Sequence, residues 1–246
     1  MKKHLFKVFS LFLACSTFGL QAQTIYTDRP DQTEGPRAVP QGSFQLESGI
    51  LWEQRGTQDQ ESWALPNTLF RVGLNRWLEL RLVPELRYSP TAGRAGDFRF
   101  SDLQVGAKAT FLNREKIKIG LLEHLFVPTR LRRGQQRALA MSHRLAVSHS
   151  GGGPWSLSYN LGYQHGALLG PDAFLYTMSA GYGLSEKLGL FLEGYGQAPR
   201  GEMARFSADA GLTYLLHPRL QLDYLFGFGL NHPMQFSSIG ISWRTP

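Results

Sequence analysis

Cysteine is nearly missing from this chain. One residue in 246, Cys15, carries a thiol, so no disulfide can form within the chain. Long apolar runs are missing too. Beyond the first twenty or so positions no stretch of about 18 apolar residues occurs, which argues against a transmembrane helix. Charge is modest, at 18% of residues. Metal-ligand spacings are lacking: there is no HExxH and no His pair at one-strand spacing, so neither a metal nor a cofactor is expected. The Gly-x-Gly pairs at Gly181 and Gly183, Gly194 and Gly196, and Gly227 and Gly229 have no helix after them. They read as inner-wall glycines, not nucleotide loops.

The formal charge of +7 falls once Lys2, Lys3 and Lys7 are set aside, leaving 23 basic against 19 acidic residues. Those that remain are scattered, except for Arg130, Arg132, Arg133 and Arg137. That pattern excludes a nucleic-acid-binding surface. Catalysis would need a nucleophile beside a base. His124 is placed inward near Glu123, while His143 and His165 fall on the opposite, apolar side. No His-x-Ser-Asn-Gly run accompanies them, and the chain is not expected to be an enzyme.

What the chain does have is alternation. In Trp77–Tyr88, WLELRLVPELRY, Leu78, Leu80, Leu82, Leu86 and Tyr88 share one face, interrupted by Pro84. Glu79, Arg81, Val83, Glu85 and Arg87 share the other. Successive strand residues point to opposite sides, so this is a two-faced strand. Alternating strands average to near-neutral hydropathy, and the mean hydropathy is −0.23.

Residues 1–22 read as a secretory signal peptide, with three lysines, an apolar core from Val8 to Leu20 and a Leu20-Gln21-Ala22 cleavage triplet. Residues 23–42 are polar and broken by Pro30, Pro36 and Pro40. They are expected to be an irregular periplasmic segment, or one tucked into a barrel mouth.

From residue 43 to 246 the two-faced pattern recurs twelve times, with short gaps alternating with longer ones. The expected fold is all-β: a transmembrane antiparallel up-and-down β-barrel of about 12 strands, with short periplasmic turns and longer extracellular loops. Ten residues at about 3.3 Å each, tilted about 45°, cross roughly the ~25 Å apolar band of such barrels. A soluble sandwich would have to bury Arg71, Glu79, Arg81, Lys108, Arg144, Glu193, Asp209 and Asp223 in its core, at several kcal/mol per unpaired ion. The inner-face charges expected to line the lumen are therefore Arg71, Glu79, Arg81, Glu85, Asp102, Lys108, Arg144, Glu193, Asp209 and Asp223. Two roles are open to them: selecting solutes in a pore, or pairing across strands to fill a narrow one.

Several segments together carry a family resemblance. They are TDRPDQTEGPRAVPQGSFQLESG, LEHLFVPTR, SYNLGY, FLEGYG, DAGLTYLLHPRLQLDYLFGFGLN and the closing ISWR. In this order the chain resembles the outer-membrane transporter family labelled "MetA-pathway of phenol degradation". The resemblance implies a porin-like barrel admitting small solutes, held in outer-membrane lipid after insertion by the barrel-assembly machinery. A closed structural barrel and a barrel-borne lipid hydrolase are the alternatives. Family members usually end on an aromatic in the last strand, a sorting cue; here the end is Trp243-Arg244-Thr245-Pro246, which leaves either Trp243 to serve or a weaker cue.

Overall fold

A computed structural model of the chain describes residues 24–56, 60–91, 94–129, 139–166 and 170–246. The expected signal peptide and the basic stretch at Arg130–Arg137 lie outside the described residues. Among the described residues there are fourteen strands: β1 (Phe44–Arg55), β2 (Gln60–Gly73), β3 (Leu78–Val83), β4 (Glu85–Thr91), β5 (Arg94–Phe100), β6 (Leu103–Asn113), β7 (Ile117–Val127), β8 (Ala140–Ser150), β9 (Trp155–His165), β10 (Ala173–Gly183), β11 (Leu188–Pro199), β12 (Arg205–His217), β13 (Leu220–Gly229) and β14 (Met234–Arg244).

These make twelve spans. β3 and β4 are one span broken at Pro84, and β5 and β6 are one span broken at Ser101-Asp102. Proline has no N–H to give the ladder, so a break falls there. Asp102 thus sits in a break and not within a strand, as the alternation alone had suggested. Ser89–Asp97, which reads as a long loop, is instead strand on both sides of residues 92–93, because β4 and β5 pair antiparallel.

Each span pairs antiparallel with the next, and β1 pairs with both β2 and β14. The sheet therefore closes on itself at the β1–β14 seam, and among the described residues β5 pairs with β4 alone. Ile50 lies opposite Ile239 across the closing seam. One end of the ring carries the short turns before β3, β7, β9, β11 and β13, together with Phe44 and Arg244. The other carries the remaining connections.

The ring is inside-out relative to a soluble protein. Leu192 is 64% exposed, while Glu193 beside it is 1% exposed. Exposed large residues include Leu80, Phe111, Trp155, Leu161, Phe174 and Phe226, whereas Arg71, Lys108, Glu47, Glu79, Glu193 and Asp209 are among the most fully buried side chains. An apolar belt around an enclosed polar interior is the membrane-barrel arrangement. Gly194 and Gly196 are exceptions to the inner-wall reading of the glycines. They share the outer face of β11 with Leu192, and a Cβ at Gly196 would meet the Tyr176 ring.

Residues 24–42 form no regular element. They are bonded to the inner wall, not placed outside it as a periplasmic segment would be. The wall makes room for them with glycine. A Cβ at Gly73 would lie 2.1 Å from the Pro40 carbonyl oxygen, and one at Gly240 would lie 2.5 Å from Arg29 Nε. At Gly73 the contact is with backbone, so no larger residue fits, whereas at Gly240 a larger residue would have to displace the Arg29 side chain.

Candidate functional site in the barrel lumen

The N-terminal segment has no ladder partners, so its backbone groups must find acceptors elsewhere. They find wall side chains. The Asp28 and Arg29 N–H groups donate to Glu47 Oε2 at 2.9 and 2.8 Å. Gln32 N–H donates to Glu193 Oε2 at 2.7 Å, Glu34 N–H to Asn160 Oδ1 at 2.8 Å, and Val39 N–H to Glu79 Oε2 at 2.7 Å. Carboxylates accept such bonds strongly.

The segment's charges complete an ion network on the β1–β8 side. Arg71 grips Glu79 through Nε and Nη2, both at 2.9 Å, and reaches Glu47 at 2.8 Å through Nη1. The Arg71 guanidinium also donates to the carbonyls of Tyr26 and Arg37. Asp28 accepts from Lys108 at 2.6 Å and from Arg81. Arg81 further contacts Glu34 and Glu79 and donates to His124 Nε2 at 3.2 Å. Arg144 approaches Glu34 at 3.5 Å. Four acids, Asp28, Glu34, Glu47 and Glu79, thus face four bases, Arg71, Arg81, Lys108 and Arg144. Without Asp28 and Glu34 the cluster would carry two uncompensated positive charges on buried side chains.

On the opposite wall Arg29 bonds Asp223 at 3.1 Å and Ser238 at 2.8 Å. The Thr33 hydroxyl joins Glu193 and lies 2.7 Å from the Thr177 hydroxyl. Asp209 faces Glu193 across the β11–β12 ladder, and both its carboxylate oxygens are buried without a hydrogen-bond partner. Glu85 bonds Arg87, Asn67 and Ser101 near the interrupted spans. Asp102 is half-buried in its break and takes no part in this network.

Of the ten charges expected from the sequence, the N-terminal segment gathers Arg71, Glu79, Arg81, Lys108, Arg144, Glu193 and Asp223 by direct contact. Sequence reasoning missed the segment's own contribution: Asp28, Arg29, Thr33 and Glu34. A signal existed. TDRPDQTEGPR has an unusual density of charge for a turn-rich stretch, and it matches a wall whose charges lacked partners.

Histidine placement also departs from the sequence reading. His124 is inward, but Glu123 is not beside it; Glu123 lies on the outer face and bonds His143 Nδ1. The His143 ring meets His165 edge-on at 5.4 Å. No hydroxyl joins this pair among the described residues.

Space remains on both sides of the segment. A cavity of about 660 Å³ opens at the short-turn end, with Tyr26, Arg37, Arg76 and Arg244 in its lining. Between the segment and the β9–β12 wall lies a cavity of about 260 Å³, walled by Ser156, Ser158, Ser179, Gly181 and Thr213. A third, of about 530 Å³, opens at the loop end and includes Gln32, Arg144, Thr177 and Arg205. The last two meet at the height where Gln32 and Thr33 bond Glu193 and Thr177.

The fold is shared with solved barrels. It is similar to the COG4313 outer membrane channel from Pseudomonas putida F1, with a TM-score of 0.62 at 12% identity over 85% of this chain and 98% of that one. It is also similar to the KdgM porin in complex with disordered oligogalacturonate, with a TM-score of 0.56 at 10% identity over 81% and 98%. The NanC porin gives a TM-score of 0.56 at 10% identity over 80% and 98%. No curated protein matches the chain. The family described as "Putative MetA-pathway of phenol degradation" matches residues 27–245, a span that includes most of the lumenal segment and all the strands, and the chain belongs to that family.

Proposed function

We propose that the protein is a passive outer-membrane channel for small solutes, with the N-terminal segment narrowing its lumen. The observation that carries this reading is the pair of cavities along the β9–β12 wall, which meet at the height where Gln32 and Thr33 contact Glu193 and Thr177. That wall carries serine, threonine and glycine beside larger polar residues such as Tyr195 and Gln197, so a route there is polar. The β1–β8 side is filled by the ion network and conducts nothing. The charges Arg144, Glu193 and Asp209 then border the route, while Arg71, Glu79, Arg81 and Lys108 hold the segment in place.

The channel and porin names of the structural neighbours support the same reading. Export through the signal peptide, insertion by the barrel-assembly machinery and residence in outer-membrane lipid go with it, as does a non-enzymatic role. Purified barrel in planar bilayers should show discrete current steps under an applied potential. A folded barrel giving no current above the empty-bilayer baseline would instead establish a closed structural barrel, the reading favoured by the completeness of the ion network.

A further inference from the structure

We propose that the loop-end cavity binds a small hydroxylated organic anion, of about the size of a sugar acid, with Arg144 and Arg205 holding its carboxylate. This deepens the channel reading and rests on it for the ligand's passage onward.

The cavity measures about 530 Å³, within the range of small-molecule sites. Its lining draws Arg55 from β1, Arg144 from β8, Arg205 from β12 and His232 from the loop before β14, and among the described residues includes no carboxylate. The arginines' own acid partners stand outside the lining and hold them by one edge. Arg55 meets Glu53 at 2.7 Å, Arg144 meets Glu34 at 3.5 Å, and Arg205 meets Glu202 at 3.5 Å. A guanidinium has five donors, so these acid contacts leave each with further donors among the described residues. Arg205 and Glu202 are both about half exposed, and such a pair is weak.

Arg144 is the most enclosed of the three arginines, with its side chain 25% exposed against 62% for Arg55 and 49% for Arg205, so a charge-assisted bond that it makes on the cavity side is the least screened by water. The planar fork of arginine matches a carboxylate better than a point charge does. The electrostatic setting agrees: partial burial, together with Arg205 and Arg55, holds the His232 imidazole below its ordinary pKa.

The remaining lining reads hydroxyls. Gln32, Gln164 and Gln197 offer amides, and Tyr195 and Ser207 offer hydroxyl groups. The Glu193 carboxylate below the cavity is already engaged by Gln32 N–H and Thr33, and it does not line the site.

The test is equilibrium binding to the full-length, detergent-solubilised barrel by titration calorimetry, using glucuronate, glucose and inorganic phosphate. Glucuronate should bind at least ten-fold more tightly than glucose and more tightly than phosphate. Arg144→Gln and Arg205→Gln should each weaken glucuronate binding five-fold or more while keeping the barrel folded. Glucose binding as well as glucuronate, phosphate binding better, or both variants binding like the parent would overturn the assignment. Conductance is read separately. Current with no glucuronate binding removes this site and leaves the channel; glucuronate binding with no current removes the channel and leaves the site.

Discussion

The Asp28 carboxylate accepts a hydrogen bond from the Lys108 ammonium at 2.6 Å, across 80 positions of sequence. Both side chains are almost wholly enclosed. This contact ties an irregular, proline-broken segment to the centre of a barrel wall. Removing one partner strands the other as a buried charge, at a cost of about 3–5 kcal/mol. Asp28→Asn and Lys108→Met should therefore lower the urea midpoint of the vesicle-embedded barrel strongly. Arg99→Ala breaks an ion pair whose members are 64% and 50% exposed, and should cost less than about 1 kcal/mol.

Sidedness can be tested on β11. Leu192 faces outward next to the enclosed Glu193. An arginine on the lipid face costs about 2–4 kcal/mol near the midplane. Leu192→Arg should reduce unfolding free energy by that amount in a urea titration. An effect near zero would mean that this face meets water.

Two glycines should respond oppositely to enlargement. Gly194 has open space where a Cβ would stand, while a Cβ at Gly227 would lie 2.5 Å from the Phe236 ring and 2.7 Å from the Asp209 Cβ. Gly194→Leu should fold with normal yield. Gly227→Leu should not reach the folded, heat-modifiable form on gels.

The narrow point of the proposed route is made by few bonds. Thr33 reaches Glu193 and Thr177 through one hydroxyl. Thr33→Val removes both bonds at nearly constant volume. Single-channel current should rise, or the channel should dwell longer in its largest conductance level. Unchanged traces would place the restriction elsewhere.

The wall was legible in the sequence because a strand's side-chain period is two and the membrane tolerates little charge on one face. Leu78–Val83 and Trp155–His165 announce their faces without any tertiary information. Pro84 marked the break between β3 and β4. The break at Ser101-Asp102 was not legible, since polar residues there fit the inward alternation as well as they fit a gap. The lumenal segment was hidden for a different reason. Proline and scattered charge look the same in a solvated lead-in as in a plug. What separates the two is a set of partners such as Glu47, Glu79, Asn160 and Glu193, brought close only by ring closure. Inward direction was thus readable for most of the candidate charges, but not what they bind.

Disulfide trapping of the segment against the wall tests the central claim most directly. Thr33 and Thr177 place their hydroxyl oxygens 2.7 Å apart, and the sole native thiol, Cys15, can be changed to serine. In the Cys15→Ser background, the Thr33→Cys, Thr177→Cys variant should form an intramolecular disulfide on mild oxidation of the folded barrel, and neither single variant should. If both engineered thiols stay free and react independently with a bulky maleimide, residues 24–42 do not lie against the inner wall and the account fails.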